Sequence, residues 1–337
     1  MHRQIRALLD AGHEVTYVAP FTHCNVTPPP PIRAVDVPRA EGSRRGRALR
    51  NARSAMKRAA ADADLIIAHD ADLLRSLPRL RRPAVWDVHE NPAPTWLDRW
   101  TATRAEQRLH LILAEPACQD RFSLPHPLVP NAVAVPAAPP PPPQSRRVVH
   151  IGRLSLERGA VQLIELGRRL TPVGLRLDLI GPADPGVRPL LRDAQREGVL
   201  DWYGYVANPH ALRMARGSLA GLSLTQDIQP VRRSLPTHVI EYMAAGIPVV
   251  TTPLPASAAV VERSGCGVVV PFGDVDAVVR ALLRLREDEE RRTAMGAAGH
   301  AEALLHHQWT DHEPGLVQLL TRWATGQRKT HPRIITA

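Results

Sequence analysis

Short runs of branched apolar residues, each closed by polar or turn residues, alternate along this chain with longer stretches of helical periodicity. In the first part, "EVTYVAP" (14–20), "ADLIIAHD" (63–70) and "AVWDVHE" (84–90) read as strands. In the second, "RVVHIGRLS" (147–155), "LRLDLIGPADP" (175–185), "LAGLSLTQD" (219–227), "GIPVVTT" (246–252) and "GCGVVVPFGD" (265–274) do the same. Helical stretches such as "AVQLIELGRRL" (160–170) separate them. Strands alternating with helices imply parallel sheets with right-handed crossovers, and ligands in such sheets sit at the C-terminal strand ends.

The stiffest break is "VPAAPPPPPQSRR" (135–147), whose five consecutive prolines suit a polyproline spacer. The pattern therefore divides into an N-terminal Rossmann-like domain over 1–134, a linker over 135–147 and a second Rossmann-like domain over 148–305. Residues 306–337 form a terminal helix, able to cross back to the first domain, and a tail. A length of 337 residues also favours two cores over one.

Composition narrows the function. A formal charge of +10 favours anionic partners, although many arginines serve only as solvated surface. Nucleic acid is not expected as a partner, because no aromatic-basic recognition motif accompanies the charge. The three cysteines, Cys24, Cys118 and Cys266, have neither metal-ligand spacing nor a disulfide pattern, which fits a reducing cytoplasm. No apolar run has the length of a membrane span. Residues 44–62 place Leu49, Ala52, Met56 and Ala59 on one helical face among arginines. Two readings fit this helix: a solvated surface helix, or a basic face that touches anionic lipid at the inner side of the cell membrane.

Three strand ends carry candidate chemistry. "GRLSLERG" has Gly152 for close backbone approach, then Arg153 and Arg158 before a helix, a pairing suited to a diphosphate. Gly181 closes a strand where the chain must approach a ligand or another backbone. "LDWYGYVANPHAL" reads as strand, Gly204 and a helix capped near Asn208. In "SLPTHVIEYMAAGIPVVTT" (234–252), Ser234 or Thr237 can cap a helix that Gly246 ends. On that helix His238 and Glu241 share a face apart from the core positions. Glu241 suits either a vicinal diol, as on ribose, or a core-edge ion pair with an arginine.

Taken in order, these segments resemble the retaining GT-B glycosyltransferases of family four. "GRLSLERG" resembles that family's diphosphate loop, "SLPTHVIEYMAAGIPVVTT" its donor helix, and "VVERSGCGVVVPFGDVDAVVRAL" the segment after it. "WDVHENP" and "LVPNAV" resemble its N-terminal His-bearing strand end and the start of the interdomain connection. The resemblance implies two parallel-sheet α/β domains facing across a cleft. It also implies an enzyme that moves a sugar from a nucleotide diphosphate sugar to an acceptor hydroxyl with retention. The acceptor would be a glycan, a lipid-linked sugar or a small molecule.

Under this resemblance Arg153, Arg158 and His89 are the catalytic residues. Gly152, Gly181, Val206, Leu235, Pro236, Thr237, His238 and Glu241 bind the donor, with Glu241 on the ribose. No cofactor and no metal are expected, the nucleotide sugar being a co-substrate. Arg233 stands where relatives carry a second acidic residue, Arg158 where lysine is usual, and His238 where "SLPTK" relatives have lysine. A neutral His238 weakens phosphate binding; a protonated one partly replaces the lysine. These departures sustain an alternative, a catalytically weakened GT-B partner subunit that binds nucleotide without turnover. A nicotinamide-dependent dehydrogenase ranks below both, since no G-x-G-x-x-G turn is present.

The segment "HRQIRALLDAGHEVTYVAP" resembles the family's first helix and second strand, so the first strand is missing ahead of it. Met1 is then expected to lie inside a longer reading frame whose upstream codons supply an apolar strand. Otherwise the N-terminal sheet should show a gap or an exposed edge.

Overall fold

The computed structural model describes residues 2–24, 28, 30–38, 45–69, 71–74, 77, 82–89, 95–138, 140–143, 146–227, 232, 234–326 and 334–336. The chain divides into two compact units, Met1–Pro130 with Trp309–Ala337, and Asn131–Gln308. In the first, the elements run α1 (His2–Asp10), β1 (Val15–Ala19), α2 (Phe21–Cys24), β2 (Arg33–Asp36), α3 (Arg45–Ala59), β3 (Leu65–Ala68), α4 (Ala71–Leu74), β4 (Ala84–Val88), α5 (Trp96–Glu106) and β5 (His110–Leu113). The second contains β6 (Arg147–Ile151), α6 (Ala160–Leu170), β7 (Arg176–Ile180), α7 (Arg188–Arg196), β8 (Asp201–Trp202), α8 (Asn208–Ala215) and β9 (Ala220–Ser223). It continues through α9 (Thr237–Ala244), β10 (Val249–Thr251), α10 (Pro255–Ser264), β11 (Gly267–Val269), α11 (Val275–Glu287) and α12 (Glu289–His306). The chain then returns to the first unit with α13 (Trp309–Thr325) and β12 (Ile334–Thr336).

Each unit holds one six-stranded parallel sheet, in orders β2-β1-β12-β3-β4-β5 and β11-β10-β9-β6-β7-β8. In the second, successive strands run outward from β6 on one side and from β9 on the other, so the winding reverses between these two neighbours. That reversal is the topological switch point of a doubly wound sheet. Its inner strands β6, β7, β9 and β10 are buried on both faces, which explains why they read as continuous apolar runs. One core cluster gathers Leu163, Leu177, Leu179 and Leu282, and another gathers Val149, Val239, Tyr242 and Val249. A Cβ on Gly221 would lie 2.4 Å from ring carbons of Tyr242, so glycine is what lets that ring seat α9 on the sheet. The Tyr242 hydroxyl then accepts the Ile151 N–H at 2.7 Å.

The first sheet closes the gap expected in it. β12, from the far end of the chain, lies between β1 and β3 and pairs in parallel with both. With β12 in the place of an initial strand, the order matches the doubly wound order of the second sheet. The neighbouring elements behave as the pattern requires. Ala55 and Met56 of α3 pack with Val18 and Ile66, and Ala52 is buried, so the apolar face of that helix belongs to the core. α13 joins this unit, and His13 Nε2 lies 3.0 Å from Thr321 Oγ1.

The proline-rich stretch lies within the second unit and is tied to it. Val135 exchanges hydrogen bonds with Gln308, and the Pro136 and Pro143 carbonyls accept from His300 and Arg292. Among the described residues no helix is long and apolar enough to cross a membrane.

Candidate active site

At the switch point the ends of β6 and β9 bring together residues that the sequence keeps far apart. Gly152, just past β6, donates its N–H to Ile180 O at 2.9 Å. A Cβ on Gly181 would sit 1.8 Å from Gly152 O, so it is another backbone that requires a glycine at 181. A Cβ on Gly152 would meet His150 Nε2 at 3.4 Å and His238 Nδ1 at 3.9 Å. Two imidazoles thus converge on the Gly152 backbone, their ring centroids 5.8 Å apart.

His150 Nδ1 lies 3.1 Å from the Leu222 carbonyl, an acceptor only, so that nitrogen carries the hydrogen and Nε2 the lone pair. Nε2 is buried and has no hydrogen-bond partner. His238 Nε2 sits 2.9 Å from Ser223 Oγ. Burial pushes the His150 imidazole down to about 4. Burial, then the His150 and Arg158 charges, push His238 down to about 3. Without an anion beside it, burial therefore favours the neutral His238 ring.

This has a consequence for stability. An unfolded imidazole takes its proton near pH 6.5, whereas these folded ones resist it until far lower pH. Their contribution to stability is complete above about pH 6.5 and is lost as pH falls towards the folded values. Between about pH 6.5 and 5, His150 alone should cost on the order of 2 kcal/mol, with His238 adding about as much. Urea melts at pH 7 and 5 check this; equal stabilities at the two pH values would contradict it.

The arginines differ from one another. Arg153 is exposed and its Nε donates to Asp184 Oδ1 at 2.7 Å. Arg158 is half-buried and near enough to influence both imidazoles electrostatically, and its side chain has no ion-pair partner among the described residues. Gly159 follows it as the left-handed N-cap of α6 (φ 81°), with no side-chain cap.

The N-cap of α9 is Pro236, not Ser234 or Thr237, and no side chain caps it. A helix start of this kind, without a side-chain cap, suits an anion. Leu235, Pro236 and Thr237 are half-buried around that start. Glu241 is buried at 5% exposure. Its Oε1 accepts from Asn208 Nδ2 at 3.0 Å, so an amide holds one of its oxygens. Asn208 is the first residue of α8 and does not cap it; Ala207 stands at the N-cap without a side-chain bond. Val206, just before, packs partly buried against the core that holds Val239 and Tyr242. Arg233 lies outside the described residues.

In the first unit, Asp87 of β4 is 1% exposed and has three side-chain nitrogens close to it. His89 Nε2 lies 2.9 Å, His69 Nδ1 3.1 Å and Gln4 Nε2 2.8 Å from its Oδ2. Burial pushes the Asp87 carboxyl up, and the bonds from His69 and His89 more than reverse this, holding it well below the usual carboxylate range. Burial also pushes the His69 imidazole down, partly offset by Asp87. If His89 donates from Nε2, its Nδ1 is left as an acceptor. One ligand atom each of His69, Asp87 and His89 lies within 4.8 Å of the others, so the group could also hold a metal ion. The pattern "WDVHE" shows Asp87 and His89 two residues apart on one strand face, and "IIAHD" puts His69 at the parallel position of the neighbouring strand. His150, Ser223 and Asn208 carry no comparable signal.

With this geometry in view, residues 135–302 match the family model of glycosyl transferases group 1. The chain belongs to that family. Among solved structures, sucrose-phosphate synthase from Thermosynechococcus elongatus is similar at a TM-score of 0.70 and 16% identity, over 93% of this chain and 90% of that one. Anabaena HepE in complex with UDP and glucose is similar at 0.64 and 18%, over 86% of each chain. WaaG, a glycosyltransferase involved in lipopolysaccharide biosynthesis, is similar at 0.66 and 15%, over 95% and 94%. No curated protein matches the sequence. The glycosyltransferase has the GT-B fold, and its family transfers glycosyl groups from nucleotide sugars.

Proposed function

We propose that this glycosyltransferase moves a sugar from a nucleoside diphosphate donor to an acceptor hydroxyl with retention at the anomeric carbon. The observation that carries the reading is the convergence at one switch point of Gly152, Arg158, the uncapped α9 start and the buried carboxylate of Glu241. Glu241, held by Asn208, binds the ribose hydroxyls. Arg153, Arg158 and the backbone N–H groups of Leu235 and Thr237, on either side of Pro236, stabilise charge on the departing diphosphate, where fixed donors act most strongly. Gly152, Gly181, Val206 and His238 shape the rest of the donor site, and no metal is required. His89, set by Asp87, contacts the sugar in the reaction.

The neutral His238 supports the second reading, a partner subunit that binds nucleotide without turnover. UDP-glucose is the first donor to try, because HepE has been solved in complex with it. At a concentration about 100 times its Kd, a bound donor should stabilise the chain by about 2.7 kcal/mol. A thermal-shift panel of UDP-, GDP-, ADP- and TDP-sugars, followed by a donor-hydrolysis assay, tests both readings. Stabilisation with hydrolysis supports the transferase; stabilisation without hydrolysis supports the partner subunit. No stabilisation by any member overturns both.

The acceptor is a glycan, a lipid-linked sugar or a small molecule for cell-surface polysaccharide, glycolipid or natural-product synthesis. The free, buried Cys118 and Cys266 suit the cytoplasm. Peripheral contact with an anionic membrane would use the exposed Arg50, Arg53 and Lys57 of α3 and the exposed Trp96 and Trp100 of α5.

A further inference from the structure

We infer that binding of the donor's diphosphate takes up a proton from solvent, held by the His150–His238 pair against the bound anion. This rests on the donor site proposed above. The geometry is specific to these two rings. His150 is 4% exposed, its Nδ1 is committed to the Leu222 carbonyl, and its Nε2 lone pair is buried without a partner. Nε2 and His238 Nδ1 both point towards Gly152, at the end of β6 where the diphosphate loop begins. A buried acceptor without a donor is unfavourable, and a proton on the pair supplies the missing N–H.

Burial, above all, keeps the unliganded pair neutral. The Arg158 cation, from the loop before α6, acts in the same direction on both rings. The Tyr242 ring of α9 lies tilted beside His238 at 5.7 Å, and burial and the nearby Glu241 raise its hydroxyl, so it stays protonated and uncharged. No carboxylate is among the causes of the shifts of either imidazole.

A diphosphate reverses this balance. Its negative charge offsets Arg158 and favours the imidazolium. Only one proton is taken up, because two imidazolium rings 5.8 Å apart repel each other. The step is free enzyme, diphosphate and one solvent proton going to a protonated complex, with no covalent bond changed. A neutral histidine thereby does, on binding, what a permanent cation would do throughout. The device makes donor affinity depend on pH.

The test is calorimetry of UDP binding to the full chain in two buffers of different ionisation enthalpy, between about pH 8.5 and 7, where the terminal phosphate is mostly ionised. The expected result is uptake of up to one proton, with affinity rising by as much as about tenfold per pH unit lowered. The His238→Lys variant carries its charge beforehand, so its uptake should vanish and its Kd should level across the range. UDP that binds the wild-type chain with buffer-independent heat and a flat Kd overturns the inference and leaves the donor site standing. Full uptake persisting in H238K also overturns it. If neither UDP, GDP nor ADP binds, the donor-site reading fails and the inference with it.

Discussion

Replacing Ile335 by proline is expected to lower the melting temperature of the N-terminal unit by roughly 6–12 °C. The effect is one of backbone pairing alone. Ile335 pairs with Thr16 of β1 on one side and Ile66 of β3 on the other, so it sits in the middle of a six-stranded sheet. Proline has no N–H to give to the ladder and is tolerated in sheets only at edges, strand starts or bulges. The cost is about 3 kcal/mol, counting the lost bond, the buried carbonyl left without its donor and the ring's steric conflict. The Ile335→Val variant keeps the donor and should melt within about 1 °C of wild type. A proline variant that also melts unchanged would mean that residues 334–336 do not occupy the sheet. Removal of residues 327–337 should have the same sign, since it leaves β1 and β3 without their shared neighbour.

The second large effect is on turnover. Arg158→Ala should lower the rate of donor hydrolysis or transfer by about 10²–10³-fold, the usual consequence of removing one donor aimed at developing negative charge. Arg158 is favoured over Arg153 because its guanidinium is half-buried and has no ion-pair partner among the described residues, whereas Arg153 already engages Asp184. Partial burial strengthens the field of the cation at the site. Arg158→Lys should retain activity to within about tenfold, since the charge remains and only the planar fork is lost. Initial rates of the three proteins with one donor decide the matter. Equal rates for wild type and the alanine variant would remove Arg158 from the machinery.

The alternation of branched apolar runs with helical stretches determined the two parallel α/β units, because a strand buried on both faces must be apolar and a crossover helix must be amphipathic. The local motifs around Gly152–Arg158 and Glu241 determined where the chemistry lies, since strand ends and helix starts are written in neighbouring residues. What each group touches was decided elsewhere. His150 looked like one more interior position of "RVVHI", and only the pairing of β6 with β9 and the seating of α9 set its Nε2 opposite His238. Gly181 could have served a ligand or a backbone until the fold placed Gly152 O against it. The N-terminal sheet shows the limit most plainly. Its central strand comes from residues 334–336, at the opposite end of the chain from the helix it precedes in space. Strand pairing is a contact between distant segments, with backbone groups as the donors and acceptors. No local pattern records which segment supplies them; the folded sheet does.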